Sequence, residues 1–280
     1  MSLLQGAGRR VSGLLGRESR LVRGLRPAYE SFLDLASGGR GIPWEINGVT
    51  YRVDPRCRRR LGHNYDAPVA RFIRERLRPG ALCLDVGANV GVYVLQFAHW
   101  AGVRGRVVAF EPNPCARRLL ERHIRLNGLE GRVEVAPVAA GARAGEATLF
   151  AAGAAGMSRL GAPNRLIAEQ VKEITVPVVT LDEFCAERGL VPDWLFLDIE
   201  GFEIAALAGA RRLIESRGGS LNVVVEMHPD VWESAGTTRE GAERLLGELS
   251  LRPRPLTGQA DPLGEHGIVH LERARGEVAS

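Results

Sequence analysis

The stretch CLDVGANVGVYVLQFA, residues 83–98, joins two apolar runs through a short turn of small residues. The first run ends in the acid Asp85 and has the length of a buried strand, while the second has the length of a helix. Gly87 and Gly91 lack a Cβ, so the backbone of the turn can approach a ligand and the helix can pack closely. We therefore predict a strand, a ligand-binding turn and a helix.

The chain on either side of this stretch alternates short apolar runs with helical segments. A helix is predicted over residues 65–80, and further helices from Val90, from Pro114 to Asn127, from Phe202 to Ser216 and from Arg239 to Ser250. Apolar runs stand between them as RVVAFE (106–111), RVEVAPVAA (132–140), DWLFLDI (193–199) and LNVVVEMH (221–228). Continuous apolar strands separated by helices are typical of parallel strands covered on both faces. The predicted fold class is α/β, a doubly wound and mostly parallel sheet.

Other strands are predicted outside this repeating pattern. Two strands are predicted in an insertion, GEATLFAAG (145–153) and EITVPVVTL (173–181). A terminal antiparallel pair is predicted at RPRPLTG (252–258) and GIVHLER (267–273). With this pair, the main sheet is predicted to have seven strands. WEINGVTYRVDP (44–55) indicates a hairpin around Asn47-Gly48. We therefore divide the chain into a helix and hairpin extension, residues 1–64, and a main domain, residues 65–280.

Composition and charge say little about partners. The formal net charge is +4, but Lys172 is the only lysine, and such an arginine bias is typical of a GC-rich genome rather than of nucleic-acid binding. The four cysteines are scattered, which favours a reducing cytoplasm. No apolar run approaches the about 20 residues of a membrane span. The Arg-rich start could be a targeting or membrane-surface helix, although a loosely packed helix is the simpler interpretation.

The turn after Asp85 does not suit a phosphate. The glycines miss the G-x-G-x-x-G spacing of dinucleotide sites, and a carboxylate at the strand end would repel a pyrophosphate but attract a cationic ligand. Glu111 ends the next strand, about 20 residues beyond the glycines, where a carboxylate accepts hydrogen bonds from ribose hydroxyls. A nucleoside with a free ribose and a positive centre describes S-adenosylmethionine.

At these residues the chain resembles the class I S-adenosylmethionine-dependent methyltransferases, and more narrowly the FkbM family. The resemblance rests on LDVGANVGVY (84–93), AFEPNP (109–114), TLDEF (180–184), LDIEGFE (197–203) and VVVEMHP (223–229), and it covers about residues 65 to 230. It implies that the main domain is a Rossmann-like methyltransferase domain. One departure is Phe196, where the family often carries a lysine.

The resemblance also implies roles for individual residues around the cofactor. Methionine and sulfonium contacts would come from Asp85, Gly87, Asn89 and Gly91, and Glu111 would hold the ribose with Asn113 nearby. Ala139 and Ala140 would flank the adenine, and Tyr65 and Asp66 match a place that often closes over the cofactor.

The methyl acceptor must be reached from the ends of the later strands. A hydroxyl acceptor needs a base, and His228 is our first choice because its charge changes near neutral pH, although it could be a plain turn residue. Asp198 could be the base, an orienter of His228 or a cofactor contact, and Glu200 could be catalytic or a helix cap. Asp198, Glu200, Glu226 and His228 could instead bind a divalent cation, but the spacing does not demand one, and we predict no metal site.

Two absences narrow the acceptor. No Asn/Asp-Pro-Pro-Tyr/Phe motif follows the fourth main strand, and no cysteine stands in the motif loops to attack a pyrimidine ring. A neutral hydroxyl fits better, and the resemblance implies O-methylation of a sugar or secondary metabolite. The loop around Met157, Ser158, Arg159 and Leu160 is the predicted acceptor lid, with Ser158, Arg159 and Glu226 as acceptor contacts. An RNA methyltransferase and a catalytically silent scaffold stay as alternatives, and the chain could form a homo-oligomer.

Overall fold

The structure is a computed structural model that describes residues 20–151, 158–160 and 171–274. The start of the predicted extension, residues 1–19, lies outside the described residues, as does Met157 of the predicted lid. The chain divides into two compact units. The first contains the described residues up to Tyr65 together with Arg122–Gly128, and the second contains the rest. No feature of the sequence predicts that Arg122–Gly128 belongs to the first unit.

The first unit contains one described helix and one hairpin. Helix α1 spans Arg20–Ala36, and strands β1 (Ile42–Ile46) and β2 (Val49–Val53) pair antiparallel. Both turn residues between the strands have positive φ, +49° at Asn47 and +81° at Gly48, as a type I′ turn requires. The predicted hairpin is confirmed.

A buried carboxylate joins the two segments of the first unit. Asp54 is fully buried and forms an ion pair with Arg122 at 2.7 Å, and its backbone N–H donates to His123 Nε2 at 3.0 Å. Arg122 also pairs with Asp34. Because a buried charge must be paired, this network ties residues 122–128 to the hairpin.

The second unit alternates strands and helices along the chain. Its described strands are β3 (Leu82–Val86), β4 (Arg106–Phe110), β5 (Val133–Ala136), β6 (Ala139–Ala140), β7 (Gly145–Ala151), β8 (Arg159–Leu160), β9 (Lys172–Val179), β10 (Trp194–Leu197), β11 (Asn222–Met227), β12 (Leu251–Pro255) and β13 (Gly267–Arg273). Its described helices are α2 (Ala67–Arg76), α3 (Val92–Trp100), α4 (Pro114–Leu126, ending in the first unit), α5 (Leu181–Arg188), α6 (Glu203–Ala208), α7 (Arg211–Arg217) and α8 (Arg239–Glu248).

The main sheet has seven strands in the order β12-β13-β11-β10-β3-β4-β5. The strands β11, β10, β3, β4 and β5 are parallel, and β13 runs antiparallel to both β11 and β12. The chain therefore builds outward from β3 in one direction through β4 and β5 and in the other through β10 and β11. The strand order reverses between β3 and β10, where open α/β sheets bind ligands. The predicted doubly wound α/β fold with a terminal antiparallel pair is confirmed.

A second sheet, in the order β6-β9-β7-β8, contains the two strands predicted in the insertion. The expectation of one strand over 132–140 is wrong, because β5 pairs in the main sheet whereas β6 pairs with β9 in the second. Pro137 lies between them and lacks the backbone N–H that a continuous strand would need. The strand break brings Ala139 and Ala140 into the second sheet.

The single helix predicted from Phe202 to Ser216 is also wrong, because α6 and α7 are separate. Gly209 lies at the break, and a Cβ there would overlap the backbone carbonyl of Gly141. The close contact explains why this position is a glycine, and that glycine is the local sign of the break in the sequence.

The core of the second unit includes an aromatic cluster under the main sheet. Phe196 is fully buried, with its ring centroid 4.0 Å from that of Tyr93. The position where the family often carries lysine is therefore a packing position in this chain.

Among the described helices, none is both long and apolar enough to span a bilayer.

Candidate active site

A cleft of about 650 Å³, its open mouth included, lies at the carboxyl ends of β3, β4 and β10. This is the position that the strand order predicts for a ligand site. Its lining consists of Val86, Gly87, Asn89, Phe110, Glu111, Pro112, Asn113, Ala116, Val138, Ala139, Ala140, Leu149, Ser158, Leu160, Asp198, Ile199 and Glu200.

The turn after β3 is built around two glycines with different tasks. Gly87 has φ +89°, and a Cβ there would overlap the Asp198 carbonyl oxygen and the Ile199 side chain. Gly91 has φ +92°, and a Cβ there would overlap the side chain of Leu120. Gly87 therefore lets β3 and β10 meet at the cleft, whereas Gly91 serves helix packing and does not line the cleft.

Glu111 is a buried carboxylate held by backbone donors. The N–H of Asn89 donates to Oε2 at 2.6 Å, and the N–H of Asn113 donates to Oε1 at 2.7 Å. Burial raises the pKa of Glu111 to about 7, although these hydrogen bonds oppose the rise. Each oxygen keeps a lone pair for a further donor, so the carboxylate is fixed in place and able to bind a pair of hydroxyls.

Asp85 is placed differently from our expectation. It is 2% exposed and does not line the cleft, and its carboxylate accepts a hydrogen bond from the backbone of Val94 in the first turn of α3. Its Oδ2 has no hydrogen-bond partner among the described residues. Burial and the nearby charge of Glu111 raise the pKa of Asp85 to about 8. The group is thus a helix cap with one unused oxygen.

Asn113 links the cleft to the predicted lid. Its Oδ1 accepts from the Cys115 N–H at the start of α4, and its Nδ2 donates to Ser158 Oγ, both at 2.9 Å. Ala139 and Ala140 line the same part of the cleft from β6. The structure therefore brings these four predicted residues together.

Two acids follow β10 at the other end of the cleft. Burial and the neighbouring Glu226 raise the pKa of Asp198 well above its ordinary value. Burial also raises the pKa of Glu200 by more than the positive charges of His228 and Arg159 lower it. Glu200 pairs with Arg159 at 3.3 Å and makes no cap to α6, so the helix-cap interpretation of Glu200 is wrong.

His228 lies behind these acids and binds Glu203, a residue for which no role was predicted. Its Nδ1 is 2.6 Å from Oε1 of Glu203, which is fully buried. Glu203 opens α6 after the motif glycine, where an acid favours a helix N-terminus in any protein. What distinguishes Glu203 is that its carboxylate faces a histidine 25 residues away, and the sequence does not show that pairing.

A polar network surrounds this pair. Glu226 Oε1 lies 2.9 Å from His266 Nε2 and 3.8 Å from His228 Nε2, and the Tyr93 hydroxyl donates to Asp66 at 3.0 Å. Among the described residues, Glu226, His228 and His266 form the one group spaced like metal ligands. Asp198 and Glu200 are not in that group, so the four-residue cation site considered above is not assembled.

The fold and the cleft define a class, an α/β protein with a ligand site at the switch point of its sheet. Residues 85–248 match the methyltransferase FkbM domain. The chain is 34% identical over 228 residues to the 31-O-demethyl-FK506 methyltransferase FkbM of Streptomyces tacrolimicus, covering 71% of this chain and 82% of that protein. The chain belongs to the FkbM methyltransferase family and is an S-adenosylmethionine-dependent methyltransferase, as the motifs indicated.

Similar solved structures include the FkbM methyltransferase of Methylobacillus flagellatus KT, with a TM-score of 0.47 and 16% identity. That alignment covers 70% of this chain and 44% of the other, so this chain spans less than half of that protein. The O-methyltransferase of Bacillus cereus in complex with SAH has a TM-score of 0.44 and 15% identity, covering 95% and 97% of the two chains.

Proposed function

We propose that this methyltransferase methylates a hydroxyl oxygen of a sugar or secondary metabolite. The observation that carries the proposal is the buried imidazole of His228 beside Asp198 and Glu200. A hydroxyl must lose its proton as its oxygen is methylated, and an imidazole is the side chain best suited to take it. The relative from Streptomyces tacrolimicus is named a 31-O-demethyl-FK506 methyltransferase, a name that describes methylation at an oxygen.

The residues of the cleft fit S-adenosylmethionine. The fixed Glu111 carboxylate would accept the two ribose hydroxyls, and the side-chain oxygen of Asn89 is buried without a partner among the described residues, as is Asp85 Oδ2. Buried polar atoms without a partner are costly, so a polar ligand that bonded these two oxygens would stabilise the site. When bound, the cofactor supplies a methyl group on a positively charged sulfur.

The other proposed cofactor contacts follow from their positions. Gly87 would give the methionine part close access to the backbone, and Asp85 Oδ2 would take its ammonium group. Ala139 and Ala140 would flank the adenine, with Asn113 beside them, while Gly91 would support the turn through packing. Glu111 would then face the ribose hydroxyls from the wall of the cleft, and Asp85 would offer its unused oxygen from behind the turn.

The acceptor would occupy the end of the cleft formed by Asp198 and Glu200. His228 Nε2 would take the proton, Asp198 would orient the base or the acceptor, and Glu226 would contact the acceptor. Ser158 comes directly before β8 and bonds Asn113, and Arg159 begins β8 and pairs with Glu200, which supports the proposed roles of both as acceptor contacts. Acceptor contacts on a short edge strand are suited to setting specificity.

The test combines cofactor binding with product analysis. Calorimetry should show S-adenosylmethionine binding to the natural protein and much weaker binding to Asp85→Ala and Glu111→Ala. Incubation with 31-O-demethyl-FK506 and with a panel of saccharides should yield a product methylated at oxygen, located by mass spectrometry. Binding without transfer to any oxygen, or transfer to nitrogen or carbon, would contradict the proposal.

The RNA alternative is less well supported. In the arginine cluster of residues 56–60, Arg56 pairs with Asp54 at 2.6 Å and Arg58 pairs with Glu30 at 3.5 Å, so part of its charge is neutralised. An RNA methyltransferase should bind RNA with an affinity that falls steeply with salt, whereas we expect no such binding.

The four cysteines are free, which supports our proposal of a reducing, cytoplasmic location.

A further inference from the structure

Three hydrogen bonds hold the buried carboxylate of Glu203. Oε1 accepts from the Gly201 N–H at 2.7 Å and from His228 Nδ1 at 2.6 Å, and Oε2 accepts from Trp232 Nε1 at 3.1 Å. Gly201 precedes Glu203 in the chain and Trp232 follows it, so the carboxylate cannot rotate without losing a hydrogen bond from one of them. Its fixed position determines where the imidazole lies.

The bond to Glu203 also decides which nitrogen of His228 is available. A carboxylate only accepts hydrogen bonds, so the proton of a neutral His228 resides on Nδ1. Nε2 then carries the free lone pair. This arrangement, a carboxylate fixing the tautomer of a histidine base, is the one found in hydrolase triads.

The other charged groups around His228 favour a proton on Nε2. Burial lowers the pKa of His228, but the hydrogen bond to Glu203 and the surrounding acids outweigh burial and raise the pKa to about 9. The groups facing the ring, besides Glu203, are Asp198, Glu200, Glu226 and His266, whose ring centroid is 4.7 Å away.

We propose that Glu203 is the positioning residue that makes His228 a base strong enough for an unactivated alcohol. This role of Glu203 rests on the proposed function. The acceptor O–H bond breaks and its proton moves to His228 Nε2. The oxygen lone pair forms the bond to the methyl carbon while the carbon–sulfur bond of the donor breaks, its electron pair staying on sulfur. The imidazolium that results is stabilised by the Glu203 carboxylate.

This arrangement selects a chemical class of acceptor. A phenol ionises near pH 10 and needs little help, whereas an aliphatic alcohol is a far weaker acid and gains most from a stronger base. Amines carry their own nucleophilic lone pair when neutral. The Glu203–His228 pair therefore fits the aliphatic hydroxyls of sugars and saturated rings rather than phenols.

The decisive comparison is Trp232→Phe against the double variant Glu203→Gln with Trp232→Phe. The side-chain amide introduced by Glu203→Gln alone would place an N–H against the Trp232 N–H, so replacing the tryptophan removes a conflict that could unfold the protein. Both variants then have the same cavity and differ only in the charge of residue 203. Calorimetry with S-adenosylmethionine should give the same affinity for both, which confirms that both are folded.

The first readout is NMR of the histidine rings, with His228→Gln used for assignment. In Trp232→Phe, His228 should titrate well above its ordinary pKa of 6.5, with its neutral form protonated on Nδ1. In the double variant the pKa should fall towards that value and the two neutral tautomers should mix. An unchanged pKa and tautomer would overturn the positioning role, whatever the acceptor is.

The second readout is methyl transfer to 31-O-demethyl-FK506 or to an accepted saccharide, with a phenol as comparison. Above about pH 9, where His228 is neutral in both proteins, we expect kcat to fall about 100-fold in the double variant with KM little changed. Near neutral pH the difference should be smaller because His228 of the parent is largely protonated, so the rate of the double variant should lose its rise with pH above neutrality. A smaller loss for the alcohol than for the phenol would overturn the assigned acceptor class. If no acceptor is methylated but the NMR result holds, the proposed function fails and the positioning of His228 stands.

Discussion

Glu111 and Asp85 show how identical chemistry at two strand ends acquires different tasks. Both carboxylates are buried, yet Glu111 lines the cleft with both oxygens bound by backbone donors, whereas Asp85 lies behind the turn and caps α3. The difference comes from position, because Glu111 lies at the wall of the cleft and Asp85 lies deeper in the protein. We therefore propose Glu111 as the more direct cofactor contact of the two.

Replacing Glu111 by Gln should therefore weaken S-adenosylmethionine binding by about 10- to 100-fold, the range expected for lost hydrogen bonds to a charged group. Calorimetry measures the change. Glu134→Gln on the exposed face of β5 is the matched control and should bind normally. Equal affinities for the two variants would mean that Glu111 does not hold the ribose.

Gly87→Ala should destabilise the protein and abolish cofactor binding, because the new Cβ would overlap the Asp198 carbonyl. Gly102→Ala separates the two causes: Gly102 also has positive φ, +69°, but faces open space, so it should lose only about 1 kcal/mol from backbone strain. Chemical denaturation gives both stabilities. A Gly87→Ala protein as stable as Gly102→Ala would show that the strand ends are less tightly apposed than described.

At the scale of elements, separate short helices replace the long one that periodicity predicts. Asp182 at the start of α5 accepts from the backbone N–H groups of Arg212 at 3.0 Å and Leu213 at 2.8 Å, so it caps α7 from another helix. The apolar pattern runs through the break because both helices bury the same side. Periodicity reports which face is buried, not whether the helix is continuous.

Asp182→Ala should cost about 1 kcal/mol of unfolding free energy, the usual value of a lost helix cap. Urea denaturation checks the loss, and cofactor affinity should not change because Asp182 does not line the cleft. Asp182→Asn retains an acceptor and should recover part of the stability. A loss of cofactor binding in Asp182→Ala would indicate that α7 supports the site.

At the scale of the whole molecule, the site makes stability depend on pH. The pKa values of Glu111, Asp85 and His228 are raised to about 7, 8 and 9, so the folded protein holds these protons more tightly than the unfolded chain. Their stabilising contribution is complete below the unfolded values, 4.5, 3.8 and 6.5, and is lost as pH rises through the folded ones.

The Tm of the ligand-free protein should therefore fall from pH 6 to pH 9, as scanning calorimetry can measure. Saturating S-adenosylmethionine should reduce the slope, because a cationic ligand favours the ionised carboxylates. Asp85→Asn should also fall less steeply. A Tm that rises across this range would contradict the raised pKa values.

We expect methyl transfer to need no divalent cation. In the described part of the chain, the ligand-like group of Glu226, His228 and His266 includes the imidazole that we propose as the base, and a cation bound to its Nε2 would occupy the lone pair that takes the proton. Turnover in EDTA should equal turnover in buffer, with no gain from added Mg²⁺ or Mn²⁺. Loss in EDTA and recovery with either ion would assign the group to a metal.

The order of the elements and the class of ligand can be inferred from the sequence alone. Apolar runs that alternate with helices favour parallel strands, and in such a sheet the strand ends meet at one edge, which is why Gly87, Asn89 and Glu111 were expected to converge. Charge at these positions then selects a cationic nucleoside. These features are local, and local patterns are visible in a single chain.

Only the tertiary structure decided how the side chains pair. Glu203 and His228 are 25 residues apart, and Arg159 and Glu200 are 41 apart, and neither pair has a spacing that marks it. Asp85, which we expect beside the methionine and sulfonium of the cofactor, lies deeper than the other predicted contacts because burial depth depends on the packing of α3. Pairing and depth are set by contacts between distant elements, which is why the methyl donor and the candidate base could be inferred from the sequence and the partner of that base could not.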